Sequence, residues 1–211
     1  MSLHINSQAP NFRQKSTKGD LDLYSYLGNQ WGILFSHPKD FTPVCTTELS
    51  EVARLEEQFS SKNVKVIALS VDKLEEHQKW ITDIEQYGKN KINYPIIADE
   101  DRSVSLAYDM IHPEADDTFT VRSVYFIDPT KKIRLILTYP AQVGRNFDEI
   151  LRIIDALQKV DNFGVATPVN WQPGEASIIP PSVKDVEVIK NKYGADVQEV
   201  FPYLRFTNIG N

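Results

Sequence analysis

The chain has 211 residues, of which 41% are hydrophobic and 25% are charged, and its formal net charge is −6. This length and composition predict a globular protein with one large domain, or with one domain and a small appendage. The acidic balance, with no basic run, argues against nucleic acid or an anionic membrane as a partner. No apolar run approaches the roughly 20 residues that a membrane helix needs, so we expect no membrane span.

The first predicted elements are short. Residues 12–27 predict a hairpin and a turn, and residues 31–35 predict a buried strand. A helix should follow, because Thr42 is a favoured N-cap residue and Pro43 suits the first helical position. Cys45, which is the only cysteine in the chain, then falls in the first turn of that helix.

The following segments alternate between strand and helix patterns. Residues 64–71 predict a strand that is buried on both faces, and Asp72 with Glu75 predicts a capped helix that ends near Gly88. The later predictions are a strand at 94–98, a short helix at 99–108, a hairpin of strands at 121–127 and 133–139, and a long helix after Asn146. This order predicts an α/β fold with a mixed sheet. The acidic clusters at 99–101 and 114–117 are typical of solvated surface.

The composition changes at Gly164. Five of the twelve prolines lie in the last 45 residues, yet this segment also has many aromatic and β-branched residues. We therefore predict two domains, residues 1–163 and residues 164–211. The second is too apolar for a disordered tail, so we expect it to dock on the first domain or on a second copy of the chain.

The position of Cys45 allows two interpretations. A thiol must ionise to act as a nucleophile, and a free cysteine has a pKa of about 8.5. The helix dipole favours the thiolate by ~0.3–1 kcal/mol, and by up to ~2 when it is partly buried, so a reactive Cys45 also needs a nearby cation. The alternative is a buried structural thiol.

A single cysteine excludes an internal disulfide, which fits a reducing compartment. With no secretory signal pattern, we expect a cytoplasmic protein.

The candidate cations are Arg122 and Arg145. Arg122 lies mid-strand among apolar residues, where an arginine either faces solvent or enters a site, and Arg145 could be a simple loop residue. Glu48, one turn beyond Cys45, could orient an arginine or be an ordinary first-turn acid. His37 could act as a base or be a satisfied strand-end histidine. The other histidines have no ligand-like spacing and no nucleotide-binding loop occurs, so we expect no metal and no cofactor.

Several motifs resemble the peroxiredoxins of the AhpC/TSA family. Residues 35–49 resemble their active-site motif Pro-x-x-x-Thr-x-x-Cys, with Pro38, Thr42 and Cys45 in the three places. Residues 139–152, 166–171 and 202–207 resemble later segments of the one-cysteine, peroxiredoxin-6-like branch. The resemblance covers nearly the whole chain. It implies a thioredoxin-like mixed sheet with flanking helices and a small C-terminal dimerisation domain, hence a homodimer.

The resemblance also implies an antioxidant enzyme with a defined mechanism. Cys45 would be the peroxidatic cysteine, which reduces hydrogen peroxide or an alkyl hydroperoxide and becomes a sulfenic acid. Arg122 would stabilise the thiolate, Thr42 would orient the peroxide, and Pro38 would shield the sulfur from water. His37, Glu48 and Arg145 are further candidates for the substrate pocket. Because there is no second cysteine, an external thiol of the glutathione, thioredoxin or glutaredoxin type would regenerate the enzyme.

Two alternatives and one departure accompany this interpretation. A Cys–His hydrolase with His37 as its base lacks an oxyanion-hole motif. A redox-sensing or chaperone-like scaffold, with an oxidisable Cys45, is compatible with the same motif.

Some members of the branch are credited with a phospholipase activity whose serine lies in a Gly-Asp-Ser-Trp-Gly stretch. Here that place is taken by Gln30, and because an amide is not a nucleophile we predict no such activity.

Overall fold

The computed structural model describes residues 3–112, 114, 119–194 and 197–211. The acidic cluster expected at 114–117 lies outside this range except for Glu114. The chain divides into two compact units, Met1–Phe147 and Asp148–Asn211. This division falls at the start of the last long helix, and the domain boundary at Gly164 stays a prediction. Among the described residues, no helix is long and apolar enough to cross a membrane.

The first unit is a seven-stranded mixed sheet with helices. Its elements are β1 (Arg13–Ser16), β2 (Gly19–Asp22), α1 (Leu23–Leu27), β3 (Trp31–Ser36), α2 (Pro43–Ser61), β4 (Val64–Ser70), α3 (Leu74–Gly88), β5 (Ile96–Ala98), α4 (Ser103–Ala107), β6 (Arg122–Ile127) and β7 (Ile133–Tyr139). The strand order is β2-β1-β5-β4-β3-β6-β7. The α/β class and the mixed sheet are thus as predicted.

The centre of the sheet places the Cys45 segment. Strands β3, β4 and β5 run parallel, and β6 pairs antiparallel with β3. All six residues of β3 and of β6 are buried, because the central strands are covered on both faces. The chain leaves the carboxyl end of β3 at Ser36 and enters α2 at Pro43. This is the edge at which open α/β sheets hold their functional groups.

The helix starts differ in part from the predictions. Asp72 does not cap α3, because that helix begins at Leu74 and its N-cap position is occupied by Lys73. The carboxylate of Asp72 instead accepts hydrogen bonds from Ser70 Oγ at 2.8 Å and from the Asp40 amide at 3.0 Å. A nearby tertiary partner has therefore outcompeted the local capping bond. The short helix expected at 99–108 is confined to Ser103–Ala107.

The second unit begins within the long helix α5 (Phe147–Phe163). It continues with β8 (Ser177–Ile178), α6 (Val186–Tyr193), β9 (Gln198–Phe201) and β10 (Leu204–Thr207), and its sheet has the order β8-β10-β9. Val165, Ile179 and Tyr193 form a small buried cluster. The last part of the chain is therefore folded, as its apolar content predicted.

Candidate active site

The first turn of α2 holds Cys45. Thr42 has an extended backbone (φ −116°, ψ 147°) and is the N-cap residue, and Pro43 follows in the first turn, as predicted. The Thr42 hydroxyl makes no capping bond, however, and donates instead to the carbonyl oxygen of Lys39 at 2.8 Å. Since the first amides of a helix have no intrahelical acceptor, those of Val44 and Cys45 remain at this end as donors for a negative charge.

Arg122 reaches Cys45 from the neighbouring strand. Its Nη1 atom lies 3.3 Å from the Sγ atom of Cys45, and the two side chains are both buried, with Cys45 0% and Arg122 2% exposed. The Nε and Nη2 atoms of Arg122 donate to the carbonyl oxygen of Ala141 at 2.8 and 2.6 Å. Of the two interpretations of this strand arginine, the structure therefore favours the one in which it enters a site.

Glu48 joins Arg122 to Arg145. Its Oε2 atom accepts from Arg122 Nη1 at 2.7 Å and from Arg145 Nη2 at 2.6 Å. Its Oε1 atom accepts from the backbone amide of Arg145 at 2.8 Å and from Arg145 Nε at 2.9 Å. The carboxylate thus fixes both guanidinium groups in place with strong, charge-assisted hydrogen bonds.

The charged groups of this cluster leave a net positive charge beside Cys45. Burial alone would raise the pKa of Glu48, but the adjacent Arg145 and Arg122 outweigh burial and lower that pKa. Burial lowers the pKa of Arg145, although an arginine keeps its charge in proteins. Two guanidinium groups therefore face one carboxylate, and the excess positive charge lies beside Cys45. A reactive Cys45 needs such a cation, because the helix dipole alone is too weak to ionise the thiol.

His37 belongs to a different cluster. Its Nε2 atom lies 2.8 Å from Asp40 Oδ1, and Asp40 Oδ2 lies 2.5 Å from His77 Nδ1. Burial lowers the pKa of His37. Burial also raises the pKa of Asp40, but hydrogen bonds from both histidines outweigh that effect and bring it to about 2. Among the hydrogen bonds of the described residues, none joins His37 to Cys45.

The structure brings together two histidines that the sequence spacing did not connect, His37 and His77. The ligand-type atoms of His37, Asp40 and His77 lie within 4.8 Å of one another, and all three residues are buried. Sequence reasoning missed Asp40 and His77 as members of any cluster. The available signal was the position of Asp40, three residues after His37 in the segment that resembles the active-site motif.

Pro38 and Ala141 border an open cavity of about 640 Å³ beside the cluster. Pro38 is half-buried, and Phe119, Val121 and Tyr139 add an apolar lining. Cys45 is absent from the described lining residues. Cys45 is fully buried, and Ala141, which lines the cavity, accepts two hydrogen bonds from the arginine that contacts the sulfur.

The sequence over residues 5–136 matches the AhpC/TSA family, and residues 156–194 match the C-terminal domain of 1-Cys peroxiredoxin. The chain belongs to the AhpC/TSA family. Its one cysteine and its C-terminal match place it in the one-cysteine branch, whose members are thiol peroxidases. The family and branch implied by the resemblance are therefore confirmed, and so is the thioredoxin-like fold.

Individual relatives agree with this assignment along almost the full chain. Peroxiredoxin PRX1, mitochondrial, of Saccharomyces cerevisiae is 54% identical over 97% of this chain and 80% of its own length. A 1-Cys peroxiredoxin of Dictyostelium discoideum is 51% identical over 97% of this chain and 85% of its own length. The solved structure of yeast mitochondrial 1-Cys peroxiredoxin has a TM-score of 0.91 at 53% identity, and the match covers 97% of this chain and 99% of that chain.

Proposed function

We propose that Cys45 is the peroxidatic cysteine of this enzyme. The thiolate sulfur attacks one oxygen of the peroxide, the O–O bond breaks, and the leaving oxygen takes a proton to form water or an alcohol. The sulfur gives up two electrons and becomes a sulfenic acid. The observation that carries this proposal is the position of the Arg122 guanidinium, 3.3 Å from the Sγ atom of Cys45. Cys45 itself lies in the first turn of helix α2.

The neighbouring side chains support defined roles. Arg122 stabilises the thiolate and the negative charge that develops on the leaving oxygen. Glu48 holds Arg122 and Arg145, so that the cations need not reorganise during the reaction. The Thr42 hydroxyl has its proton directed to Lys39 O, which leaves lone pairs to accept a hydrogen bond from the O–H of the peroxide. The ring of Pro38, which has no N–H group, keeps water from the sulfur.

The burial of Cys45 supports a small substrate. A sulfur with no exposed surface is reached by hydrogen peroxide or a slender alkyl hydroperoxide more readily than by a bulky electrophile. We propose both peroxides as substrates. His37 is assigned no direct role as a base, because it is fully buried and no hydrogen bond of the described residues joins it to Cys45.

An external thiol is the proposed reductant. Because Cys45 is the only cysteine, neither this chain nor an identical subunit offers a resolving thiol. The yeast relative is described with a thiol resolving mechanism via glutathione/thioredoxin systems, which supports a reductant of the glutathione, thioredoxin or glutaredoxin type here. A reductant must contact Sγ to form a mixed disulfide, so the residues around Cys45 must move at this step.

We also propose a homodimer in the cytoplasm. In the described part of the chain, β7 is the last strand of the large sheet and has partly exposed apolar residues, and such an edge favours pairing with another chain. In the second unit β9 is exposed along its whole length, and Phe201 and Tyr203 stack 5.4 Å apart. Light scattering should give twice the mass of 24.1 kDa. The yeast relative is named as mitochondrial, so fractionation of cells must test the location.

Rapid mixing with hydrogen peroxide tests the central proposal. Reduced protein is mixed with one equivalent of peroxide and analysed by intact mass, with Cys45→Ser as the control. We expect one added oxygen, formed much faster than on a free thiol, and none in Cys45→Ser. A rate no better than that of a free thiol would instead favour the redox-sensing scaffold.

A further inference from the structure

The cluster of His37, Asp40 and His77 has a proton count that its hydrogen bonds determine. His77 Nε2 lies 3.1 Å from the carbonyl oxygen of Ile97, and a carbonyl can only accept, so Nε2 carries a proton. His77 Nδ1 lies 2.5 Å from Asp40 Oδ2, and a proton must lie between these two atoms as well. Asp40 faces a ring nitrogen with each of its two oxygens, and an ionised carboxylate, which accepts at both, fits this arrangement and places the second proton on the nitrogen of His77. His77 is then an imidazolium.

His37, in contrast to His77, is a neutral imidazole. Its Nε2 atom donates to Asp40 Oδ1, whereas its Nδ1 atom is buried without a hydrogen-bond partner among the described residues. A bare Nδ1 is the lone-pair nitrogen of a neutral ring. The cluster therefore contains one positive charge on His77 and one negative charge on Asp40, with a neutral His37 beside them.

A proton explains this cluster better than a metal ion does. The Asp40 carboxylate lies between the two rings and uses one oxygen for each of them, at hydrogen-bonding distance. A structural zinc site needs four protein ligands, and the described residues provide only three ligand groups here. The hydrogen bonds account for all three ligand-type atoms without an ion.

Asp40 links this charge pair to the peroxidase site. It lies two residues after Pro38 and two residues before Thr42. Its side chain is held by His77 from helix α3, and its backbone amide is held by Asp72 at the end of β4. His77 is itself tied to β5 through Ile97. Through Asp40 the segment between β3 and α2 is thus fastened directly to α3 and to the residues just after β4, and through His77 indirectly to β5.

The groups that face the cluster are few. The titratable residues that act on His37 are Asp40 from its own segment, His77 from α3 and Asp72 from the end of β4. The Trp80 ring of α3 lies 5.3 Å from that of His37, and its Nε1 atom donates to the hydroxyl of Thr46 on α2 at 3.2 Å.

We infer that His77 is a positioning residue of the peroxidase site: as a buried imidazolium it clamps Asp40, and through Asp40 it holds residues 37–42 in the arrangement that presents Pro38 and Thr42. The inference deepens the proposed function and rests on it where it concerns the rate of Cys45 oxidation. The protonation state and the order of the segment are independent of that function.

Long-range ¹H–¹⁵N spectra of the reduced wild-type protein test the proton count. The chain has only four histidines. We expect both ring nitrogens of His77 to be protonated at neutral pH and His37 to show a bare Nδ1. Addition of zinc should leave both patterns unchanged. A bare nitrogen on His77, or loss of its two protons on adding zinc, would overturn the inference.

Two variants then test the clamp. In His77→Asn the amide nitrogen takes the place of Nδ1 and can still donate to Asp40. In His77→Gln it takes the place of Nε2, so the bond to Ile97 is kept and the bond to Asp40 is lost. We expect His77→Gln to slow Cys45 oxidation at least about tenfold and to speed hydrogen exchange of the Asp40 amide. His77→Asn should change both by no more than a few-fold.

The controls separate this inference from the proposed function. His4→Asn and His4→Gln, at an exposed histidine, should match the wild-type protein. Equal loss of rate in both His77 variants, or no loss in either, would overturn the clamp while the peroxidase stands. A slow wild-type reaction would instead overturn the peroxidase, and the spectra and the Asp40 amide would still test the clamp.

Discussion

The Nη1 atom of Arg122 lies 3.3 Å from the Sγ atom of Cys45. The same nitrogen donates to Glu48 at 2.7 Å, so the thiol and the carboxylate share one cation. The other two guanidinium nitrogens are used by Ala141. The acceptors around Arg122 therefore fix the position of its charge. The guanidinium does not need to reorient when the sulfur reacts.

Replacement of Arg122 by lysine should slow peroxide reduction although the charge is kept. A lysine ammonium cannot reach Cys45, Glu48 and Ala141 in one planar arrangement. A charge-assisted hydrogen bond contributes about 1.5–3 kcal/mol, so we expect the second-order rate constant with hydrogen peroxide to fall about 10- to 100-fold. Stopped-flow mixing measures it. Arg54→Lys, on the exposed side of α2, should keep the wild-type rate, and an unchanged rate in Arg122→Lys would contradict the role of the guanidinium.

The sequence predicted that Cys45 lies at the start of a helix, but it did not predict the contacts between residues that are far apart in the chain. The place of Cys45 in the first turn of a helix follows from Thr42 and Pro43, which lie within three residues of it. The burial of Arg122 could not follow from its strand, because β6 is buried on both faces and has no alternation to read. The pairing of Asp40 with His77, 37 positions apart, depends on how α3 packs beside the 37–42 segment. No local pattern contains that information.

Loss of the Glu48 charge should destabilise the fold. Glu48 accepts four hydrogen bonds from Arg122 and Arg145, and Glu48→Gln would leave two buried cations without a counter-charge. Breaking a buried ion pair by removing one partner typically costs ~3–5 kcal/mol. Urea unfolding at pH 7 measures the change. The matched control is Glu51→Gln, whose pair with Arg54 is largely exposed and should contribute at most ~1 kcal/mol.

The stability difference between wild type and Glu48→Gln should shrink in acid. The arginines lower the pKa of Glu48 in the folded state below its ordinary value of 4.5. Such a carboxylate contributes stability that is fully present above the unfolded pKa and is lost as the pH falls through the folded pKa. Urea unfolding from pH 7 to pH 3 should therefore show a constant difference above about pH 5.5 and a smaller one below 4.5. A difference that grows in acid would have the wrong sign.

Excess peroxide without a thiol should inactivate the enzyme. Because Cys45 is the only cysteine, its sulfenic acid has no partner in the chain and remains open to a second oxidation to sulfinic acid. Intact mass should show one and then two added oxygens, with activity lost at the second. Addition of a small thiol before the second step should preserve activity. Stable accumulation of a Cys45–Cys45 disulfide dimer under these conditions would contradict this prediction.

The hydroxyl of Thr42 should matter more than its methyl group. Its proton is directed to the carbonyl oxygen of Lys39, so the oxygen is oriented to accept a hydrogen bond from a bound peroxide. Thr42→Ser keeps this arrangement and should retain a rate constant within a few-fold of wild type. Thr42→Val keeps the shape and removes the hydroxyl. We expect it to lower the rate constant by about 5- to 100-fold, the effect of one lost hydrogen bond of ~1–3 kcal/mol.

The neighbouring Thr47 provides a matched control for this change. Its exposed hydroxyl donates to Val44 O at 2.7 Å in the same turn of α2, but it has no place in the proposed site. Thr47→Val should therefore react with hydrogen peroxide at the wild-type rate, because a valine at that position disturbs the helix as little as one at Thr42. Equal rates for Thr42→Val and Thr47→Val would show that the Thr42 hydroxyl does not contact the peroxide. The orientation of the substrate would then rest on Arg122 and the first-turn amides.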